Sequence, residues 1–197
     1  MKVTVYYDYI CPYCYIGSFR IESLSKELNL ELEWKGMEIH PEIPPSGLRR
    51  KSNPKLDQTV KNIDEMAGED GIEIKLPGFV TNSRLSLEAA EFAKTKGLFG
   101  DFHHAVYKAY FREGINIGDR KQLLKIAEGA GLSPAEVEET LEQKTMKSMI
   151  ESNHREAEGN MILGVPTYVI GGYPLHGSQS TGTLRTIIER AIDRGGA

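Results

Sequence analysis

A chain of 197 residues with 40% hydrophobic content can bury a substantial core and fits one or two domains. Its formal net charge of −4 argues against a nucleic-acid or anionic-membrane partner. No stretch approaches the roughly 20 apolar residues of a membrane span, and Met1-Lys2 leads into an alternating strand without the apolar run of a signal peptide, so a soluble cytoplasmic protein is expected.

Lys2 to Tyr7 alternates and is rich in β-branched and aromatic residues, which predicts a strand. It runs into Asp8-Tyr9-Ile10-Cys11-Pro12-Tyr13-Cys14, which holds both cysteines of the chain. A helix is predicted from Cys11 to about Leu28, with Ile16, Phe19, Leu24 and Leu28 on its apolar stripe and Asn29 as its stop. A cysteine at a helix N-terminus meets free backbone N–H groups and the positive end of the helix dipole, both of which favour a thiolate. The thiolate is the nucleophile of thiol chemistry, so Cys11 is the expected attacking residue. Cys14 lies one turn further on, in reach to close a disulfide with Cys11 and release whatever Cys11 holds.

Other uses of this spacing fit less well. A zinc site needs four ligands, and neither a second Cys-x-x-Cys nor a paired histidine motif is present among His40, His103, His104, His154 and His176. A structural disulfide would close only a tiny loop and would be reduced in the cytosol. Redox or thiol-transfer chemistry is the expectation, with no metal.

Glu31 to Ile39 alternates with a change of phase near Gly36, which predicts a second strand with a bulge or bend there. Strand, helix and strand then make one βαβ unit with a right-handed crossover. His40 to Pro54 holds Pro41, Pro44, Pro45, Gly47 and Pro54, and is expected to form no regular element. From about Leu56 to Gly159 the helical period dominates. One helix starts at Ser83, another at Asp101 and a third at Asp119. Ser133-Pro134-Ala135-Glu136 has the form of a capping box. Beta character returns at Pro166 to Ile170, turns at Gly171-Gly172, and continues through Tyr173 to His176 as an edge strand that tolerates Pro174. A helix over Thr181 to Arg194 closes the chain. The expected domains are therefore a discontinuous α/β domain, 1–45 and 160–197, and an inserted helical domain, 55–159.

That order, the Cys11-Pro12-Tyr13-Cys14 helix start, and Gly164-Val165-Pro166-Thr167 entering the third strand together resemble the thioredoxin superfamily. The large helical insertion is similar to that of the DsbA-like family, and Tyr7 to Gly17 resembles its FrnE-like branch. The likeness spans essentially the whole chain. It implies a cis peptide between Val165 and Pro166, packed opposite the cysteines, with the backbone of Val165 open to pair with an extended peptide or glutathione. It also implies substrate contacts from Val165, Pro166, Thr167 and Gln179, the last within Gly177-Ser178-Gln179 before the final helix. Pro12 and Tyr13 match the dipeptide of glutaredoxins and would tune Cys11. With no charged or imidazole group between the cysteines, a middling redox potential is expected. Asp8 is open to two readings, a proton acceptor during resolution or a turn residue. His176 reads as a surface histidine at a strand end, and nothing supports a ligand role for His103 or His104.

The leading expectation is a thiol–disulfide oxidoreductase acting on protein or small-molecule thiols and disulfides. It would hold no bound cofactor, with glutathione as a candidate redox partner. A glutathione-dependent isomerase or transferase of the 2-hydroxychromene-2-carboxylate isomerase or kappa type is the alternative. Those families generally lack the second cysteine, and their last helix typically opens with an Asp where this chain has Gln179. A third reading is a redox sensor or chaperone in which the cysteine pair acts as a switch. The oligomeric state is not legible.

Overall fold

The computed structural model describes residues 1–195. Strand β1 (Lys2–Tyr7) lies parallel to β2 (Glu31–Gly36), with Val5 beside Trp34 and Tyr7 beside Gly36. Its other edge pairs antiparallel with β5 (Thr167–Ile170), and β6 (Tyr173–His176) extends β5 as an antiparallel hairpin. The sheet order is β2-β1-β5-β6. Gly171 and Gly172 both take positive φ in the hairpin turn, a conformation that glycine adopts without steric cost.

Between β1 and β2 runs α1 (Pro12–Leu28). Pro12 at its first position lacks an N–H that would be unpaired there anyway. Asn29 ends it in the left-handed region, its N–H returning to the Ser25 carbonyl. Ile21 and Leu24 of α1 are fully buried in the same core as Val3 and Val5, each adding about 1.5–3 kcal/mol of burial. Phe19, expected on the apolar stripe, is exposed and sets its ring edge against Tyr15. The inward face is set by the sheet, and Phe19 lies off it.

The second strand is shorter than its alternation suggests. No bulge forms, because the strand ends at Gly36 and Met37 to Ile39 leave the sheet. Met37 N–H donates to the Tyr7 carbonyl at 2.8 Å, and Ile39 N–H goes to the Asp8 carboxyl. A Cβ at Gly36 would press on Leu87 and Ile150, so the glycine lets two later helices close over the strand end.

The proline-rich segment does contain a regular element. Leu48–Arg49 (β3) pairs antiparallel with Phe79–Val80 (β4), Leu48 facing Val80. The helices are α2 (Pro54–Glu69), α3 (Arg84–Thr95), α4 (Phe99–Phe111), α5 (Arg120–Gly129), α6 (Pro134–Gln143), α7 (Lys147–Gly159) and α8 (Thr181–Asp193). Asn53, Asp119, Ser133 and Ser180 cap α2, α5, α6 and α8 through their side chains, each worth about 0.5–2 kcal/mol. Helix α4 begins at Phe99, two residues before Asp101, which sits in its first turn. There its charge favours the helix N-terminus.

The two faces of the sheet differ. Val3, Val5 and Tyr7 enter one large core with Leu184 and Ile188 of α8 and with Leu87, Phe102 and Tyr107 of α3 and α4. On the other face Tyr6 packs with Met37, Ala157 and Ile162, and its hydroxyl donates to Glu156. Among the described residues no helix is long and apolar enough to cross a membrane.

Candidate active site

Cys11 is the N-cap of α1, in extended backbone conformation and with no side-chain cap bond. Its carbonyl accepts from the Cys14 and Tyr15 amides, and its own N–H donates to the Asp8 carbonyl. The Cys11 thiol donates to the Val165 carbonyl at 3.6 Å. Both cysteines are free thiols and both are buried, Cys11 5% exposed and Cys14 2%. Burial pushes the Cys14 thiol well above its ordinary value, the adjacent Cys11 pushes further, and the Asp8 backbone amide pulls the other way.

Asp8 is wholly buried. Its Oδ1 accepts the Ile10 amide at 3.2 Å and its Oδ2 the Ile39 amide at 2.8 Å. Desolvation raises its pKa from 3.8 to about 6, against the pull of those amides, and the nearby Glu38 carboxylate adds to the rise. Such a buried carboxyl, next to two free thiols, has the character of a functional acid or base. Asp8 also fixes the geometry, since its carbonyl takes the Cys11 amide and the Tyr107 hydroxyl.

The Val165–Pro166 peptide is cis. Pro166 O accepts from Gly177 N–H, and Thr167 Oγ1 donates to Gly164 O at 2.7 Å, so the segment is tied to the start of β5 and the end of β6. His176 is exposed, with Nδ1 3.1 Å from Thr167 Oγ1. A hollow of about 320 Å³ on one side of Val165 is walled by Met161, Leu163 and His176. A second, of about 230 Å³, lies between Tyr13, Met66, Pro166 and Ser178. Gln179 lines neither: its side chain donates to the His176 carbonyl, and Ser178 takes the place beside Pro166. Cys11, Cys14, Asp8, Val165 and Pro166 therefore converge, with Tyr13 at the rim and Gln179 turned away. Among the described residues no group of His, Cys, Asp and Glu is placed to hold a metal ion.

Several residues of this site carry no motif. Tyr107 of α4 packs against Tyr9 and Tyr15, with centroids 5.0 and 5.3 Å apart. Helix α4 thus stands behind the cysteines. Arg20, 3% exposed, donates to Asp70 of the α2 terminus and to the Gln179 carbonyl. Tyr168 lies under α1 with its hydroxyl against Gly17. The signal available in the sequence is a lone arginine on the buried side of α1 and a glycine inside a helix. Neither names its partner. His103 is buried among aromatic rings with Nδ1 3.2 Å from the Tyr9 hydroxyl, and burial holds it well below its ordinary pKa. His104 faces out and pairs with Glu22.

Comparison with known proteins resolves the family. The DSBA-like thioredoxin domain model matches residues 2–189. The chain belongs to the DSBA-like thioredoxin domain family. YwbO of Bacillus subtilis (strain 168), described as uncharacterized, is 31% identical over 200 residues, covering 98% of this chain and 96% of that protein. Among solved structures, one described as a probable DsbA oxidoreductase from Streptomyces coelicolor has a TM-score of 0.88 at 22% identity, covering 98% of this chain and 90% of its own. A 2-hydroxychromene-2-carboxylate isomerase has a TM-score of 0.84 at 20% identity, covering 99% and 98%. The cytosolic disulfide reductase DsbM of Pseudomonas aeruginosa, also solved with GSH, has a TM-score of 0.67 at 17% identity, covering 97% and 95%. At these identities the likeness shows the DsbA-like thioredoxin fold.

Proposed function

We propose that the protein is a thiol–disulfide oxidoreductase in which Cys11 attacks and Cys14 resolves. The observation that carries this reading is the Cys11 thiol at the head of α1, facing the Val165 carbonyl, with Cys14 and the Asp8 carboxyl behind it. The Cys11 thiolate attacks one sulfur of a substrate disulfide, and the other sulfur leaves as a thiolate. Cys14 then gives its proton to Asp8 and attacks the Cys11 sulfur. The Cys11–Cys14 disulfide forms and the second substrate thiolate departs, so the pair is oxidised by two electrons and the substrate is reduced by two. In reverse the same sequence oxidises a dithiol. Asp8 suits the acceptor role because burial makes Cys14 hard to deprotonate while keeping the carboxylate basic. Substrate backbone would pair beside Val165, with side chains in the two flanking hollows; Thr167 would support that segment and Pro12 would set the approach to Cys11. The proposed partners are protein or small-molecule thiols, glutathione among them, in the cytoplasm. The discontinuous α/β domain and helical insertion are proposed as the units of the chain.

Cys14→Ser tests the mechanism. Incubated with oxidised glutathione, the variant should accumulate a Cys11–glutathione disulfide detectable by intact mass, because serine cannot resolve it. Cys11→Ser should accumulate almost none. A second reading, a glutathione-dependent isomerase, is favoured by the fold likeness to 2-hydroxychromene-2-carboxylate isomerase. On that reading Cys14 is dispensable and glutathione is required but not consumed. Full turnover by Cys14→Ser without a trapped adduct would overturn the dithiol mechanism.

A further inference from the structure

The carboxyl of Asp8 shares its interior with a second one. Glu38, just past the end of β2, is 3% exposed. Its Oε1 accepts from Asn82 Nδ2 at 2.8 Å, and its Oε2 takes Arg84 through Nε at 2.7 Å and through Nη2. Asn82 in turn accepts the Arg84 amide, fixing the head of α3. From the other side, Glu38 N–H donates to His154 Nε2 of α7 at 3.0 Å. The next residue in the chain, Ile39, supplies the amide on Asp8 Oδ2. One ion pair thus holds the peptide that holds Asp8.

The groups packed round this pair are few in kind. Cys11 and Cys14 face Asp8 from α1, and Tyr107 and Tyr110 from α4. Ser83, Arg84 and Glu88 approach from α3, and His154 from α7. Of these, Arg84 alone carries a fixed positive charge; further out, Arg50 stands beside Tyr110, and Lys144 and Lys147 act on Glu88. Remove it, and two carboxylates are left buried near each other, an arrangement in which each makes the other harder to ionise. The Arg84 side chain is also 29% exposed, so the pair reaches from the solvent to the layer beneath the cysteines.

We infer that Arg84 is a positioning residue for proton transfer from Cys14 to Asp8: paired with Glu38, it keeps the Ile39 amide on the Asp8 carboxyl and cancels the second carboxylate buried beside it. This rests on the reading of Asp8 as the acceptor. In the step concerned the Cys14 S–H bond breaks, its proton goes to Asp8, and the sulfur electron pair forms the bond to Cys11. The substrate thiolate leaves with the pair from the broken mixed disulfide and takes a proton from water. Arg84 touches none of the reacting atoms. Its effect is confined to how readily Asp8 stands ionised when Cys14 must give up its proton.

The test is quenched-flow mass analysis of the reduced protein with oxidised glutathione, following the rise and decay of the Cys11–glutathione adduct from pH 5 to 9. Arg84→Met should move the midpoint of the decay upward by about one pH unit and slow decay at pH 6 several-fold. Glu38→Gln should move it downward. The double variant, which removes both charges, should return close to the wild-type midpoint. The rate at which the adduct first forms, measured in Cys14→Ser, should be the same with and without Arg84→Met. An unshifted midpoint in Arg84→Met overturns the inference, as does a double variant no better than Arg84→Met, which would show that the Glu38 charge does not act on Asp8. If Arg84→Met does not fold, an unshifted Glu38→Gln overturns it alone. Asp8→Asn separates the two levels: a wild-type decay profile in that variant refutes Asp8 as acceptor. A slow, pH-flattened profile there, beside an unchanged Arg84→Met, refutes the role of Arg84 only.

Discussion

The Cys11 thiol meets the carbonyl of Val165 at 3.6 Å, across 154 positions of sequence. The contact sets the first cysteine beside a backbone acceptor that belongs to the other end of the chain. The second cysteine has no such opening, since it lies one turn inside α1, under Tyr107 and beside Asp8.

The two thiols should therefore differ in reactivity. Reduced protein treated with iodoacetamide at pH 7.5 is expected to label Cys11 first, with Cys14 modified only on unfolding or at strongly alkaline pH. Peptide mapping of a labelling time course reads this out. Labelling of Cys14 as fast as Cys11 would reverse the roles of attacker and resolver.

Asp8 should leave a mark on stability as well as on chemistry. Its pKa is raised on folding, from 3.8 to about 6, so the native state binds more protons than the unfolded one between those values. Stability contributed by the protonated form is present in full below about pH 4 and is lost as pH rises through about 6, a decline of about 3 kcal/mol. Asp8→Asn has no such titration. Urea unfolding of reduced protein at pH 4 and pH 7 should show the variant gaining on wild type by that order; parallel pH profiles would contradict the burial argument.

Gly17 and Tyr168 form a second coupled pair. A methyl group at Gly17 would fall inside contact distance of the Tyr168 hydroxyl, which is buried and has no hydrogen-bond partner among the described residues. Gly17→Ala is expected to cost about 1–3 kcal/mol by overpacking. Tyr168→Phe removes an unsatisfied hydroxyl and should be neutral or stabilising. The double variant should recover most of the loss. Additive effects in thermal or urea unfolding would show that the two do not meet.

Arg20 joins three parts of the molecule. Its buried guanidinium donates to Asp70 at 2.6 Å, to the Met66 carbonyl at 3.2 Å and to the Gln179 carbonyl at 2.8 Å. Arg20→Met keeps much of the side-chain volume and strands those acceptors, at an expected cost of about 2–3 kcal/mol. Proteolysis should also open the α2 terminus or the segment before α8 earlier than in wild type. A loss under about 0.5 kcal/mol with an unchanged digest would remove Arg20 from this role.

Part of the site is legible in the residues alone. Cys11, Cys14 and the helix they head follow from residues within a single turn of each other, and the resemblance carried by Val165-Pro166-Thr167 points to their partner. Gln179 shows the limit: its place beside the last helix follows from the pattern, while the rotation of its amide onto the His176 carbonyl does not. Asp8 stands out as a residue but not as a buried one. Arg84 and Glu38 give no local sign, because an ion pair 46 positions apart leaves no periodicity, and Arg20 shows its place on α1 but not its partners.

What is local follows from the chain itself. Strand β1, helix α1 from its cysteine cap to Asn29, the Gly171-Gly172 hairpin and the Ser and Asp caps of α5, α6 and α8 all rest on spacings of a few residues, where backbone sterics and unpaired N–H groups decide. Packing between distant segments settles the rest. It brings Leu87 and Ile150 so close to the end of β2 that Gly36 has no room for a side chain, pairs the two residues of β3 with β4, and turns Phe19 outward. It also buries Asp8 near the Glu38 carboxylate that Arg84 neutralises. These outcomes depend on which surfaces meet, and close packing of distant segments selects among conformations that local propensity leaves nearly equal.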